Sequence, residues 1–276
     1  MSIKNLKNKN VGIITGIPRS GTSLVASIIS FSDNVAVLNE PAQLTKILKN
    51  NKNLNDFVSY INHIKKTIIQ REPIYNKQSN GFITENTALD DTRRPHVFDV
   101  FDLSFNLIIK NTLGFLFAIE RIINAIPEIK IIFCFRNPFE TIASWKNSFN
   151  HLKKAMPNKI AVINDQISWL NDSDNKQINL INNEQTDTIR RAQLWTFLAN
   201  RIIELSGNGL LVNYSNLINN PQIEINRITD YLNICKSSFQ TRQIQHKSKK
   251  YELNAFEYEL IDEYCMNTYE RLCEIY

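Results

Sequence analysis

Val11-Gly12-Ile13-Ile14-Thr15-Gly16, then Ile17-Pro18-Arg19-Ser20-Gly21-Thr22-Ser23, then Leu24-Val25-Ala26-Ser27-Ile28-Ile29 reads as a strand, a loop and a helix. The apolar run suits a buried strand, it breaks at Gly16 and Pro18, and apolar residues resume at helical spacing after Gly21. Such a loop turns backbone N–H groups outward beside the unpaired N–H groups of the new helix, and together they attract an anion. Gly16 and Gly21 keep the spacing of the Gly-x-x-x-x-Gly-Lys-Ser/Thr phosphate loop, but Thr22 stands where that loop has its lysine. Arg19 is the cation inside the loop, and a guanidinium fork suits an anion with several oxygens without a metal to organise it. A plain corner, with glycines serving geometry and Arg19 solvated, is the competing reading.

The chain of 276 residues is long enough for one large α/β domain spanning 1–276. Its 43% hydrophobic and 21% charged residues are ordinary for a globular protein, so composition alone assigns no function. The net charge of +5 comes from scattered Lys and Arg, which suits an anionic ligand. No ladder of interleaved basic and aromatic residues is present, so nucleic acid is not expected as a partner. The apolar run after the polar start is too short for a signal peptide or a membrane span, and a cytoplasmic protein is expected. Cys134, Cys235, Cys265 and Cys273 form no CxxC pair and have no histidine at metal spacing. With no HxxEH and no paired aspartates either, no metal is expected.

A second strand is predicted over 34–39, running into Glu40-Pro41. Ligands of open parallel sheets bind beyond the carboxyl ends of the strands, so Glu40 is placed either to face the ligand or to be an exposed loop carboxylate. Apolar residues at helical spacing follow from Gln43 to Gln70, then a Pro-, Asn- and Asp-rich excursion over 71–102. Core structure returns in a strand over 105–110, ending at Lys110-Asn111-Thr112, and in a helix closed by Pro127. The run Ile129 to Phe135, apolar on both faces, predicts a central parallel strand. It ends at Arg136-Asn137-Pro138, and the helix begun by Pro138 carries Ser144. Arg136 and Ser144 then offer a cation and a hydroxyl to a second anionic group.

The loop Pro18-Arg19-Ser20-Gly21-Thr22-Ser23 together with Arg136-Asn137-Pro138-Phe139-Glu140-Thr141-Ile142-Ala143-Ser144, and Phe149 beyond it, resembles the two nucleotide signatures of the sulfotransferases that use 3′-phosphoadenosine 5′-phosphosulfate, PAPS. Lys110-Asn111-Thr112 is similar to that family's Lys-Thr-Pro or Lys-Thr-His element. Gly209 to Tyr214, with Tyr214-Ser215-Asn216-Leu217 and Asn220-Pro221, resembles its last strand and Tyr-Glu-Asp-Leu…Pro segment, and helices over 185–205 and 223–232 also fit. The likeness covers about 10–50 and 105–235, leaving 51–104 as an insertion and 236–276 as a tail that shape the acceptor site.

The resemblance implies a three-layer, P-loop-like fold with a central parallel sheet flanked by helices. It implies that Arg19, Ser20, Gly21, Thr22 and Ser23 hold the 5′-phosphosulfate, that Arg136 and Ser144 hold the 3′-phosphate, and that Tyr214 lies in the nucleotide site. Arg19 and Lys110 would stabilise the sulfuryl group and the leaving phosphate. Members that sulfate phenols and steroids have a catalytic histidine where this chain has Thr112, and His63, His96, His151 and His246 lie in no motif. Carbohydrate and protein members often use an early glutamate, the pattern Glu40-Pro41 matches, so Glu40 is the expected base and a saccharide hydroxyl the expected acceptor. Ser215-Asn216 replaces the acidic pair of the Tyr segment. The run Lys247-Ser248-Lys249-Lys250 is either a lid over the 3′-phosphate or a solvated tail. A small-molecule kinase, which would need the missing loop lysine and Mg²⁺, and a catalytically silent nucleotide-binding protein are the rivals.

Overall fold

The structure, a computed structural model, describes residues 10–50, 54–78, 83, 92–101, 104–147, 150–157, 170–235 and 253–276. In chain order its elements are β1 (Val11–Gly16), α1 (Thr22–Ser30), β2 (Val35–Asn39), α2 (Ala42–Asn50), α3 (Asn55–Ile69), β3 (Ile74–Lys77), β4 (Arg93–His96), β5 (Asn106–Lys110) and α4 (Thr112–Ala125). There follow β6 (Lys130–Phe135), α5 (Pro138–Lys146), α6 (Asn150–Lys154), α7 (Asp172–Asn183), α8 (Asp187–Leu205), β7 (Leu210–Asn213), α9 (Tyr214–Asn219), α10 (Pro221–Leu232) and α11 (Ala255–Glu274).

Five strands form one parallel sheet in the order β2-β5-β1-β6-β7. Strand residues point alternately to its two faces, and both faces are apolar, as a sheet covered on both sides requires. Ile13, Leu38, Ile109, Ile131 and Phe133 enter a core shared with α3, α4, α5, α8 and α11. Ile14, Val37, Ile108, Ile132 and Cys134 enter a second core with α1, α9 and α10. The three-layer α/β architecture expected from the sequence is therefore the observed one.

Asparagine starts many of the helices. The side chains of Asn111, Asn137, Asn171, Asn213 and Asn254 accept from backbone N–H groups at the starts of α4, α5, α7, α9 and α11. Each satisfies a donor the helix leaves unpaired.

The helices expected over 43–70 lie on the core, and the excursion that follows them forms a separate sheet. Phe57, Ile61, Ile64 and Ile68 of α3 are buried against the sheet, whereas β3 and β4 form a separate antiparallel hairpin. In the tail, Ile261, Cys265 and Leu272 of α11 join the core over α8, and Glu257 receives Lys146 at 2.7 Å and Arg191 at 3.4 Å. The basic run 247–250 lies outside the described residues. No helix among the described residues is long and apolar enough to cross a membrane.

Candidate active site

Because β1 is the middle strand, the loop after it opens at the carboxyl edge of the sheet between β5 and β6. Gly16 lies so close to β6 that a Cβ there would sit 2.1 Å from the Cys134 carbonyl oxygen, and Ile17 N–H donates to that oxygen at 3.0 Å. Arg19 takes a left-handed backbone, φ 69°, and Gly21 does so at 87°. A non-glycine residue held there carries strain, which concentrates at functional sites. Helix α1 begins without a side-chain cap, so its first N–H groups stay open to a ligand. Ser20 Oγ is buried and has no hydrogen-bond partner among the described residues.

The two motifs, more than a hundred residues apart in the chain, are joined directly. Arg19 Nε donates to Ser144 Oγ at 3.1 Å. The Trp145 indole N–H donates to the Pro18 carbonyl at 2.9 Å, deep in the protein. Arg136 lies over the Tyr214 ring, 4.3 Å from its centroid, and its Nε donates to Glu140 at 2.8 Å. The Tyr214 ring in turn fills the space a Cβ on Gly21 would need, 2.6 Å from Tyr214 Cδ2. Gly21, Tyr214 and Arg136 thus form one stack across the nucleotide motifs. The sequence reading gave Arg19 and Ser144 to different phosphates; the geometry places them in contact.

Gly21→Ala should therefore lower the thermal midpoint and weaken anion binding together. The left-handed backbone alone costs about 1–2 kcal/mol for a residue with a Cβ, and the displaced Tyr214 ring carries Arg136 with it. Unfolding followed by circular dichroism, with and without a bound adenosine bisphosphate, measures both effects.

Across the sheet edge, Glu40 directly follows β2. A residue before proline ordinarily extends, yet Glu40 has φ 49°, pinned by its N–H to the Lys110 carbonyl at 2.9 Å. Lys110 Nζ donates to Glu40 Oε1 at 2.5 Å and Lys77 Nζ to Oε2 at 3.0 Å. Burial alone would raise the Glu40 carboxyl; the ammonium groups of Lys110 and Lys77 overcome it and hold it at about 2. Complete burial draws Lys110 below its usual range, against the pull of Glu40. Glu40 is thus a partly buried carboxylate between two cations, not the exposed loop acid of the alternative.

Thr112, in the position where some relatives in the resemblance have histidine, starts α4. Its hydroxyl lies 3.1 Å from that of Thr22, and its carbonyl accepts from Thr15 at 2.6 Å. His63 is exposed and His96 packs edge-on against Phe98, ring centroids 4.5 Å apart, so neither enters this cluster. Among the described residues no group of three His, Cys, Asp or Glu could hold a metal ion. Lys77, and Arg93 whose Nη2 donates to the Glu40 carbonyl at 3.0 Å, come from the hairpin within the 71–102 excursion, where no sequence motif marks them.

A five-stranded parallel α/β sheet with a strand–loop–helix turn at its central strand, Arg19 in contact with Ser144 beside that turn and a carboxylate at the same edge defines a class, the P-loop-like α/β fold. Within that class the chain belongs to the sulfotransferase family, whose profile matches residues 13–237. Its fold is similar to that of a sulfotransferase from Alicyclobacillus acidocaldarius, at 13% identity and TM-score 0.53 over 97% of this chain and 95% of that one. Sulfotransferase STF9 from Mycobacterium avium gives 14% identity and TM-score 0.47, covering 99% and 76% of the two chains. The sulfotransferase domain of the curacin biosynthetic pathway gives 13% and 0.45, covering 97% of each. No curated protein matches the chain significantly.

Proposed function

We propose that this sulfotransferase moves the sulfuryl group of PAPS to a hydroxyl of a carbohydrate acceptor. The observation that carries the donor assignment is the junction of the two motifs: Arg19 against Ser144 at 3.1 Å, beside a buried Ser20 hydroxyl with no hydrogen-bond partner among the described residues. An orphaned buried hydroxyl is costly unless a ligand satisfies it, and the loop around it is lined by N–H groups suited to a phosphate. The residues present fit a nucleotide that carries anions at two positions. The donor supplies the sulfuryl group and a good leaving group.

The chain's own residues do the rest. Ser20, Gly21, Thr22 and Ser23 cradle the 5′ end through backbone N–H and hydroxyl groups. Arg136 and Ser144 hold the 3′-phosphate, and Tyr214 backs the Arg136 guanidinium. Arg19 and Lys110 meet the charge that develops on the leaving side, the electrostatic work that usually contributes most to such rates. Glu40 takes the proton of the acceptor hydroxyl. A carboxylate held near 2 is a weak base; once Lys110 turns to the donor, one of the two cations holding it down is gone and its basicity rises. Proton removal is thereby tied to a loaded donor site. A carbohydrate acceptor is favoured by the Glu40-Pro41 pattern and by Thr112 in the histidine position. The hairpin and the 236–276 tail are the segments expected to shape its pocket.

Arg136→Ala tests the 3′-phosphate assignment. Losing charge-assisted hydrogen bonds, roughly 1.5–3 kcal/mol, should weaken 3′,5′-diphosphoadenosine about 10- to 150-fold and leave 5′-AMP binding as it was. Equal loss for both nucleotides would place Arg136 elsewhere. Turnover with PAPS on a panel of glycosides, sterols, phenols and hydroxy acids tests the acceptor class; activity confined to the last three would overturn the carbohydrate assignment.

A further inference from the structure

Two ammonium groups converge on the Glu40 carboxylate. Lys110 Nζ and Lys77 Nζ both touch its carboxylate, and both side chains are almost wholly buried, 3% and 5% exposed. Burying an ammonium group is costly, and here two of them share one carboxylate. The two lysines also differ in origin. Lys110 ends a strand of the nucleotide sheet, whereas Lys77 ends the first strand of the hairpin.

The hairpin is fixed at that point. Asn76, itself buried, accepts from Asn39 N–H at 2.8 Å and donates to the Val37 carbonyl at 2.9 Å, imitating a strand partner for β2. Asn39 Nδ2 donates back to the Lys77 carbonyl at 3.0 Å. On the other hairpin strand, Arg93 grips the Glu40 carbonyl at 3.0 Å. Among the described residues, the charged groups facing Glu40 are thus Lys110 from β5, Lys77 from β3 and Arg93 from β4. Of the two ammonium groups on the carboxylate, Lys110 stands at the sheet edge beside the anion loop and Lys77 is anchored away from it.

We propose that Lys77 is the positioning residue of the base: it keeps hold of Oε2 while Lys110 turns to the donor, so that Oε1 is left free and ionised toward the acceptor hydroxyl. This rests on the reading of Glu40 as base. Without Lys77, a partly buried carboxylate that has just lost Lys110 would take up a proton or swing away, because desolvation favours its neutral form. A side chain misplaced by even 1 Å at this step costs on the order of 10²-fold in rate.

The test compares Lys77→Met, Lys77→Arg and Glu40→Gln with wild type, using PAPS and the glycoside panel for turnover, 3′,5′-diphosphoadenosine for binding, and a carboxyl ¹³C titration of Glu40 with that nucleotide bound. In Lys77→Met, kcat should fall on the order of 10²-fold, the acid limb of its pH profile and the Glu40 titration should both move to higher pH, and nucleotide affinity should hold. Lys77→Arg, which keeps the charge, should recover much of the rate. Lys77→Gln carries the same test should the methionine variant not fold. An unchanged kcat and acid limb in Lys77→Met would overturn the proposal. So would a loss of nucleotide affinity as large as the loss in rate, which would make Lys77 a donor ligand. Glu40→Gln separates the two failures: if it is fully active the base reading falls, whereas if it is inactive beside a fully active Lys77→Met only the role of Lys77 falls.

Discussion

Glu40→Gln is expected to lower kcat by about 10²- to 10⁴-fold, the usual worth of a positioned general base, while 3′,5′-diphosphoadenosine binds within a few-fold of wild type. The amide keeps the shape of the side chain and can still accept from one lysine, but it cannot take a proton at neutral pH. Both lysines donate to the carboxylate at hydrogen-bond distance, so the substitution also removes the negative charge that the two buried ammonium groups share. That cost belongs to stability and is read separately, from thermal unfolding. A folded, nucleotide-binding Glu40→Gln protein with wild-type turnover would remove Glu40 from the chemistry.

Lys110→Met is expected to lower kcat/KM by about 10²- to 10³-fold, the loss found when one preorganised donor to a developing anion is deleted. Methionine is close in length and suits the fully buried site, so β5 should persist. Glu40 keeps Lys77, and its carboxyl should titrate at higher pH than in wild type, because one of the two ammonium groups that lower it is gone. The variant therefore begins with a better base and a poorer electrophile. Slow turnover in spite of the better base would locate the role of Lys110 on the leaving side, and turnover at the wild-type rate would refute it. Initial-rate kinetics against PAPS concentration make the measurement.

The parts of the site built from long apolar periodicities were legible in the sequence. β1 and β6 are strands because their runs are apolar on both faces, and the loop residues Arg19 to Ser23 and the pair Arg136 and Ser144 follow from where those strands must end. Glu40 followed in the same way from β2. The hairpin was not legible: Ile74–Lys77 and Arg93–His96 are short, mostly polar, and include Pro95, so no pattern of alternation marks them. What holds them is the side chain of Asn76 acting as backbone, a contact no spacing rule encodes. Nothing in the sequence therefore singles out Lys77. The contact between Arg19 and Ser144 was hidden for a related reason: each motif gives its own strand-end position, but the distance between them depends on β1 and β6 being neighbours in register, Gly16 opposite Cys134. Helix α11 was passed over because its buried residues, such as Ile261, Cys265 and Leu272, are spread among charges, and only packing on α8 shows which face is covered.

The most direct test of the donor assignment is a thermal-shift titration with 3′,5′-diphosphoadenosine, beside 5′-AMP and beside ATP with Mg²⁺. A ligand bound only by the folded state adds about 2.7 kcal/mol of stability at a hundred times its Kd, a readily visible rise in the unfolding midpoint. Both anion sites acting together predict a saturable rise with the 3′,5′-diphosphate and a much smaller one with 5′-AMP. A rise with ATP and Mg²⁺ and none with the 3′,5′-diphosphate would contradict the assignment of Arg136 and Ser144, and with it the use of PAPS as donor.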